Sequence, residues 1–201
     1  KCTSLINPPD MSNATNVTDM SNAFDSCTAL VYPPDLSNTT NVEDLSQTFS
    51  GCKSLTNAPE IPSGVTDMSY TFYNCSSLTV APTIPEGVTD MRRTFQNCTS
   101  LTTAPEIPNG VTNMDSTFYG CTSLTEAPVI PSSVVNMNST FRSCSSLTSF
   151  PDMTQATNVE NMTFTFYGCT SITGTIRIPA GVTMLTNCFY GTSKPITMEY
   201  Y

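Results

Sequence analysis

Cysteine is the residue whose type and spacing most invite a chemical interpretation. The chain carries nine cysteines and no histidine. A zinc site would group its ligands in pairs such as C-x-x-C, and a thiol nucleophile would need a neighbouring base. The sequence offers neither, because eight of the cysteines recur singly at intervals of 23 or 25 residues: Cys2, Cys27, Cys52, Cys75, Cys98, Cys121, Cys144 and Cys169. We therefore predict no metal, no cofactor and no catalytic thiol.

The regular spacing instead predicts a ladder of stacked thiols. Equivalent positions in stacked coils lie about 5 Å apart, which is within the Cα separation of a disulfide, but parallel side chains are poorly aimed for bridging. Reduced cysteines pack as small apolar side chains. Cys188 stands where the other repeats have Thr or Ala, and we expect it to pack inside as well.

A second periodic column is acidic or amide in character. It could hold calcium, whose ligands are oxygens. It could equally cap the turn that follows, since Asp and Asn side chains accept bonds from backbone N–H groups there. The capping interpretation is favoured because the later members are Asn and stacked carboxylates repel one another. The column is Asp19, Asp44, Asp67, Asp90, Asn113, Asn136 and Asn161.

Apolar residues recur with the same period as the cysteines and the Asp and Asn residues, so one repeating structural unit must position all of these columns. Leu or Ile follows each of the eight recurring cysteines by three residues, and each repeat has a Val with Met or Leu three residues after it. Seven residues after the Val comes Phe24, Phe49, Phe72, Phe95, Phe118, Phe141, Phe166 or Phe189. Register held over eight copies is typical of a repeat protein.

One such unit cannot bury its own apolar side chains, but stacked units can. The sequence therefore predicts a leucine-rich-repeat-like solenoid of eight repeats of 23–25 residues. We expect short parallel β-strands stacked coil on coil: one at Ser-Leu-Thr-x-Ala-Pro-x-Ile and a second at Val-Thr-x-Met. A short helical turn is predicted from Met to Cys. Residues 1–192 form the predicted solenoid domain, and 193–201 a C-terminal cap or the start of a linker.

The motif Phe-x-x-Cys-x-Ser-Leu, preceded by Val-Thr-Asp-Met, resembles the BspA-like leucine-rich repeats of bacterial surface proteins. Repeats one, two and seven, such as Asn16–Phe24, are most similar to the variant of mycoplasma surface lipoproteins. The resemblance extends from Cys2 to about Gly191 and departs at the Ala-Pro-x-Ile-Pro corner. It implies a curved solenoid on the bacterial cell surface or secreted, where some relatives are adhesins. It supplies no catalytic residues.

Two variable columns near the buried Phe are the candidate binding residues. The first, directly after the Phe, contains Tyr73, Tyr119, Tyr167 and Tyr190, with Gln96 and Arg142 in the same column. The second contains Tyr70, Arg93 and Phe164, with Ser116 and Ser139. A core position would not accept Arg142 readily, so we expect an exposed face that contacts a protein or glycan. Scattered surface tyrosines without function are the alternative.

Charge narrows the function classes. The net charge of −9, from 16 acidic and 7 basic residues, argues against nucleic acid, and no apolar run is long enough for membrane insertion. We expect a non-enzymatic adhesion or protein-binding module with a partner on a host or bacterial surface. A purely structural spacer is the alternative. Lys1-Cys2 enters mid-repeat, so we also expect end-to-end or edge self-association at the open stack edge.

Overall fold

The protein is a stack of similar coils. The structure is a computed structural model that describes residues 2–193 and 195–201, so Lys1 lies outside the described part of the predicted domain. The eight columnar Phe rings stack face to face in one continuous ladder, with centroid separations of 5.5 to 5.9 Å between neighbours. We number the coils one to eight by these rings, from Phe24 to Phe189. In the described residues, no helix has the length and apolarity to cross a bilayer.

The core consists of the predicted apolar columns. Phe49 to Phe166 are fully buried, as are the Leu, Val, Met and Cys columns of the central coils. Each coil therefore covers the apolar ring of the one before it, which is how short repeats bury side chains that one repeat alone would expose.

The segment from Met to Cys differs from the predicted helical turn. Successive backbone N–H groups alternate between two kinds of acceptor. Ala23 N–H donates to Met20 O within the same coil and closes a tight turn, whereas Asn22 N–H donates to Ser46 O of the next coil. Positive φ angles recur at two fixed positions of each coil, for example 58° at both Asn22 and Ser26. A left-handed residue every four positions interrupts a helix, and the segment is a series of β-turns.

The predicted strand at Ser-Leu-Thr-x-Ala-Pro-x-Ile is also much shorter than expected. It pairs at a single residue per coil, in the column Asn57, Val80, Thr103 and Glu126. Proline two residues later has no N–H to donate and has a fixed φ, which ends the pairing. The predicted second strand at Val-Thr-x-Met is likewise reduced to one parallel bridge per coil, at the Asp and Asn column.

Two longer strands lie at the C-terminal end. Strand β1 (Gly174–Ile178) and strand β2 (Ile196–Tyr200) pair in parallel, with Ile176 opposite Met198. Segment 174–178 contains no proline, so each of its residues has a backbone N–H that can donate to a neighbouring strand. The boundary placed at residue 192 stays a prediction.

Buried polar side chains join the coils through the core. Thr117 is fully buried and its Oγ1 donates to Met91 O of the preceding coil at 2.9 Å. Cys121 Sγ donates to Phe95 O, also of the preceding coil, at 3.1 Å. Equivalent threonines and cysteines make the same bonds along the stack. The hydroxyl and thiol columns thus find acceptors for their own buried donors, on carbonyls that also accept a bond within their own coil.

All nine cysteines are free thiols, and Cys2 is the exposed one. We expect Ellman titration to count nine thiols in denaturant without reductant, and one fast-reacting thiol in the native protein. A Cys2→Ala variant should lose the fast phase and no other. Detection of disulfides, or several fast thiols in the native state, would contradict the buried ladder.

Candidate functional site

The eight candidate binding residues lie in two neighbouring columns on the outside of coils three to eight. We call this surface the aromatic–arginine face. It comprises Tyr70, Tyr73, Arg93, Tyr119, Arg142, Phe164, Tyr167 and Tyr190. Both columns belong to the β-turn segment, whose bonds to the adjacent coils fix the backbone beneath each side chain. The stacking that builds the core therefore also aligns these side chains.

The first group on this face surrounds Tyr70. The Tyr70 and Tyr73 rings are tilted against each other with centroids 5.8 Å apart. The guanidinium carbons of Arg92 and Arg93 lie 5.7 and 5.3 Å from the Tyr70 centroid, within the range of cation–π attraction. Asp115 is the acidic neighbour, with its Oδ2 4.0 Å from Arg93 Nε.

The second group surrounds Arg142. Its guanidinium carbon lies 5.4 Å from the ring centroid of Tyr119, 5.1 Å from Phe164 and 4.7 Å from Tyr167. Tyr167 in turn stacks on Tyr190 with centroids 5.1 Å apart. Arg142 is therefore held between aromatic rings of coils five and seven, within the range of cation–π attraction.

The face is less exposed than the sequence analysis predicted. Tyr190 is 63% exposed, but the other seven members are half-buried because they pack on one another. Packing leaves buried polar atoms without partners: in the described residues, the buried side-chain nitrogens and oxygens that make no hydrogen bond are Arg93 Nε, Gln96 Oε1 and Arg142 Nε. All three belong to the two columns of this face. Such atoms are uncommon in folded proteins and carry a desolvation penalty.

The backbone under the second column is left-handed, which is costly for large side chains. Tyr70, Arg93 and Phe164 have φ angles of 57°, 56° and 55°. The same position holds Asn22 and Ser116 in other coils, with φ of 58° and 56°. The conformation thus belongs to the repeat, but a bulky residue there costs about 1 kcal/mol or more. Three coils bear that cost and place an aromatic or cationic side chain on the face.

The Asp and Asn column serves the backbone. Asp67 Oδ1 accepts a bond from Ser69 N–H at 2.7 Å, and Asn136 Oδ1 accepts one from Asn138 N–H at 3.0 Å. All seven members of the column make this bond to the residue two positions on. The predicted capping role is confirmed, although the turn that is capped is a β-turn. In the part of the chain that the structure describes, no group of three or more His, Cys, Asp or Glu could hold a metal ion.

The thiols are poor nucleophiles where they lie. Burial raises the pKa of Cys52 and of Cys169 from 9.0 to about 12. A nucleophilic cysteine requires the opposite shift, because the thiolate is the reactive form. The cysteine column is therefore part of the core and adds nothing to a catalytic site.

A second surface feature lies at the proline corner. A groove of about 380 Å³ runs between coils three and four, lined by Val80, Pro82, Pro105 and Asn109 with Glu86 and Glu106 at its sides. Val80 is exposed in this groove. Unlike the aromatic–arginine face, the groove contains no buried polar side-chain atom without a partner among the described residues.

Two contributors to the face were not predicted from the sequence, and the burial of a third was not expected. Arg92 packs over Tyr70, Asp115 approaches Arg93, and Gln96 is only 9% exposed. The adjacent arginines at 92 and 93 were the available signal, because basic residues are rare in this chain. The burial of Gln96 left no mark in the sequence, since the residue shares its column with tyrosines and an arginine.

Comparison with solved structures supports the repeat fold. A leucine-rich repeat protein from Bacteroides ovatus superposes with a TM-score of 0.60 at 23% identity over 89% of this chain and 52% of its own. The T. pallidum leucine rich repeat protein gives a TM-score of 0.56 at 23% identity over 73% of this chain and 68% of its own. The chain thus spans about half the length of the Bacteroides ovatus protein. A search of curated proteins found no match.

The family comparison covers most of the sequence. The family described as "BspA type Leucine rich repeat region (6 copies)" matches residues 20–148 and, in an overlapping match, residues 69–197. Together with the solved relatives, this confirms the predicted leucine-rich repeat solenoid. The chain belongs to the BspA-type leucine-rich repeat family.

Proposed function

We propose that this chain is an adhesion or protein-binding module of the bacterial cell surface, and that the aromatic–arginine face is its binding surface. The observation that carries the proposal is the grouping of Arg142 with Tyr119, Phe164 and Tyr167 on the outside of the solenoid, a cation with no ion-pair partner among the described residues. A partner could supply the opposite charge there without displacing an existing ion pair.

The residue types support a binding role. Tyrosine and arginine are the residues that most often dominate the binding energy of an interface, because each combines a large contact area with a polar group. On this face Tyr119, Arg142 and Tyr167 are already packed against one another, so these side chains have little conformational entropy left to lose on binding. The left-handed backbone under Tyr70 and Phe164 also fits a functional reason for large side chains at these positions.

Surface display rests on family membership. BspA-type repeats are known from bacterial surface proteins, and a partner of such a protein would be a protein or glycan on the host or on the bacterium. The net charge of −9 suits a protein that meets the aqueous phase rather than nucleic acid.

A structural spacer is the second candidate. The uninterrupted Phe ladder and the thiol bonds between coils favour it, since both give a stiff rod with no break. A spacer needs no ligand, and changes to surface tyrosines would then have no effect on what the protein does.

A binding screen separates the two candidates. The purified chain would be passed over immobilised matrix proteins, mucins and glycans, with and without calcium. We expect saturable binding to at least one of them, weakened about 10-fold or more in a Tyr119→Ala/Tyr167→Ala double variant, because truncation of central aromatic anchors has effects of this size.

The matched control is a Tyr32→Ala/Tyr200→Ala double variant, which removes two exposed tyrosines outside the face. It should bind like the wild type. A blank across the whole panel would favour the spacer, and equal weakening by both double variants would contradict the assignment of the face.

A further inference from the structure

The aromatic–arginine face presents one polar group per coil in a straight register. The column after the Phe reads Tyr73, Gln96, Tyr119, Arg142 and Tyr167 in five successive coils. The buried rings beneath, from Phe72 to Phe166, are spaced at 5.6 Å. In the described residues, the hydroxyls of these tyrosines make no hydrogen bond to protein. The column is therefore a row of hydrogen-bonding groups with a period set by the solenoid.

Arg142 is a cation without a protein counter-ion. In residues 2–193 and 195–201 the ion pairs are Arg93 with Asp115 and Arg177 with Glu199, and none involves Arg142. Aromatic rings lie close to its guanidinium, and its Nε is buried without an acceptor. Because the buried Nε is closed to a ligand, an anion would meet the terminal N–H groups of this half-buried side chain, which can bond one carboxylate in pairs.

The cationic side chains of this face lie in two coils. Arg92 and Arg93 belong to coil four and Arg142 to coil six, and these are three of the seven basic residues in a chain of net charge −9. Asp115 of coil five lies 4.0 Å from Arg93, whereas the ion pairs among the described residues involve neither Arg92 nor Arg142. A ligand that lay along the column would thus meet unpaired cations in coils four and six, separated by a coil that offers Tyr119 and the half-buried Asp115 carboxylate.

The coil spacing disfavours an extended peptide as this ligand. A β-strand rises about 3.3 Å per residue and turns alternate side chains to one face, so its groups on that face repeat at about 6.6 Å. Against rings spaced at 5.6 Å, the mismatch accumulates to about 4 Å across the four intervals between five coils. Successive rings of a linear polysaccharide advance by a distance close to the coil spacing, and each ring carries hydroxyls that a tyrosine or Gln96 can bond.

We propose that the aromatic–arginine face binds a linear acidic polysaccharide, with one sugar per coil and a carboxylate on every second sugar. One carboxylate lies against Arg142 and the next, two sugars away, against Arg92. The intervening sugars bond the tyrosine hydroxyls. This inference rests on the proposed function of the face and specifies the chemistry of its partner.

The test is isothermal titration of the full chain with hyaluronan octasaccharide, in which glucuronate alternates with N-acetylglucosamine. We expect saturable binding that Arg142→Gln weakens about 10-fold or more, as expected for loss of a charge-assisted bidentate bond. Arg142→Lys keeps the charge but loses the planar edge, and it should also weaken binding. The control Arg177→Gln removes an arginine outside the face and should bind like the wild type.

Two further ligands identify the class of partner. A neutral octamer of N-acetylglucosamine should not bind, and poly-glutamate should bind more weakly than hyaluronan. Tighter binding of poly-glutamate would overturn the proposal in favour of an acidic peptide. Absence of hyaluronan binding, or hyaluronan binding that Arg142→Gln leaves unchanged, would also overturn it.

The outcome can be told apart from failure of the proposed function. If a matrix protein or mucin binds through Tyr119 and Tyr167 while hyaluronan does not bind, the face remains a binding surface and only the polysaccharide is wrong. If hyaluronan binds equally to the wild type and to the Tyr119→Ala/Tyr167→Ala variant, its site lies elsewhere and the polysaccharide inference fails, while the proposed function of the face is decided by the matrix proteins and mucins.

Discussion

Raising the pH from 8 to about 10.5 should unfold this protein cooperatively. Burial raises the pKa of seven thiols above 9.0, and for Cys52, Cys169 and Cys188 the raised value is about 12. In the unfolded chain the same thiols ionise near 9.0. Above that pH the unfolded state releases protons that the folded state retains, so the stability contributed by the thiols is complete below pH 9 and is lost as pH rises towards 12.

The expected loss is large because the thiols act together. Each contributes about 1.4 kcal/mol per pH unit over this range, so seven remove on the order of 10 kcal/mol within one unit. That is comparable with the whole stability of a typical domain. Each ionisation would also break a bond such as that from Cys98 Sγ to Phe72 O.

Urea denaturation at pH 8, 9 and 10 measures this dependence directly. A Cys121→Ala variant should show a pH slope smaller by one proton, because it removes one thiol whose pKa is raised by burial. A free energy of unfolding that changes by less than about 1 kcal/mol between pH 8 and 10 would mean that the thiols do not ionise differently on unfolding.

Phe118→Ala should lower the free energy of unfolding by about 3–5 kcal/mol. Phe118 is fully buried in coil five, and its ring stacks on Phe95 and Phe141 with centroids 5.6 Å away on each side. The substitution opens a cavity in the middle of the ladder, where coils held by inter-coil bonds on both sides have little freedom to collapse into it.

Urea denaturation at neutral pH gives the value, and Tyr32→Ala is the matched control. Tyr32 is exposed, so its truncation should change stability by less than about 0.5 kcal/mol. A loss below about 1 kcal/mol for Phe118→Ala would contradict a continuous stacked core.

The apolar columns could be predicted from sequence because burial acts on residue type. Phe118 and Cys121 recur with a fixed period since every coil offers the same buried position. The strands were overpredicted for a related reason: Ser-Leu-Thr-x has the composition of a strand, but the following proline restricts pairing to one residue such as Thr103. Inter-coil bonds between turns, rather than long strands, hold this solenoid together.

The β-turns left a weaker signal. The second left-handed position is occupied by Gly, Asn or Ser in every coil, including Gly51 and Gly120 with φ of 71° and 75°. Gly and Asn adopt positive φ most readily, so this column held a signal for turns that the prediction of a helical turn did not use. The first left-handed position gave no such signal because Tyr70 and Phe164 occupy it, and large residues there are not typical of that conformation.

The sequence predicted which columns of residues form the candidate face, but it did not predict how their side chains contact one another. Alternation of Tyr119, Arg142 and Tyr167 indicated a solvent-facing position. Their mutual packing depends on side-chain conformation across three coils, which no single repeat specifies. The unpartnered atoms of Gln96 and Arg142 follow from that packing and required the structure.

Hydroxyl-radical footprinting tests most directly whether the aromatic–arginine face is the binding surface. The chain would be footprinted alone and then with each matrix protein, mucin or glycan that binds it in the screen. We predict that Tyr119, Phe164 and Tyr167 become protected when the partner is added, while Tyr32 and Val80 are modified at an unchanged rate. Protection of Tyr32 or of Val80 in the proline-corner groove, with the face unchanged, would contradict the account and place the binding surface elsewhere on the solenoid.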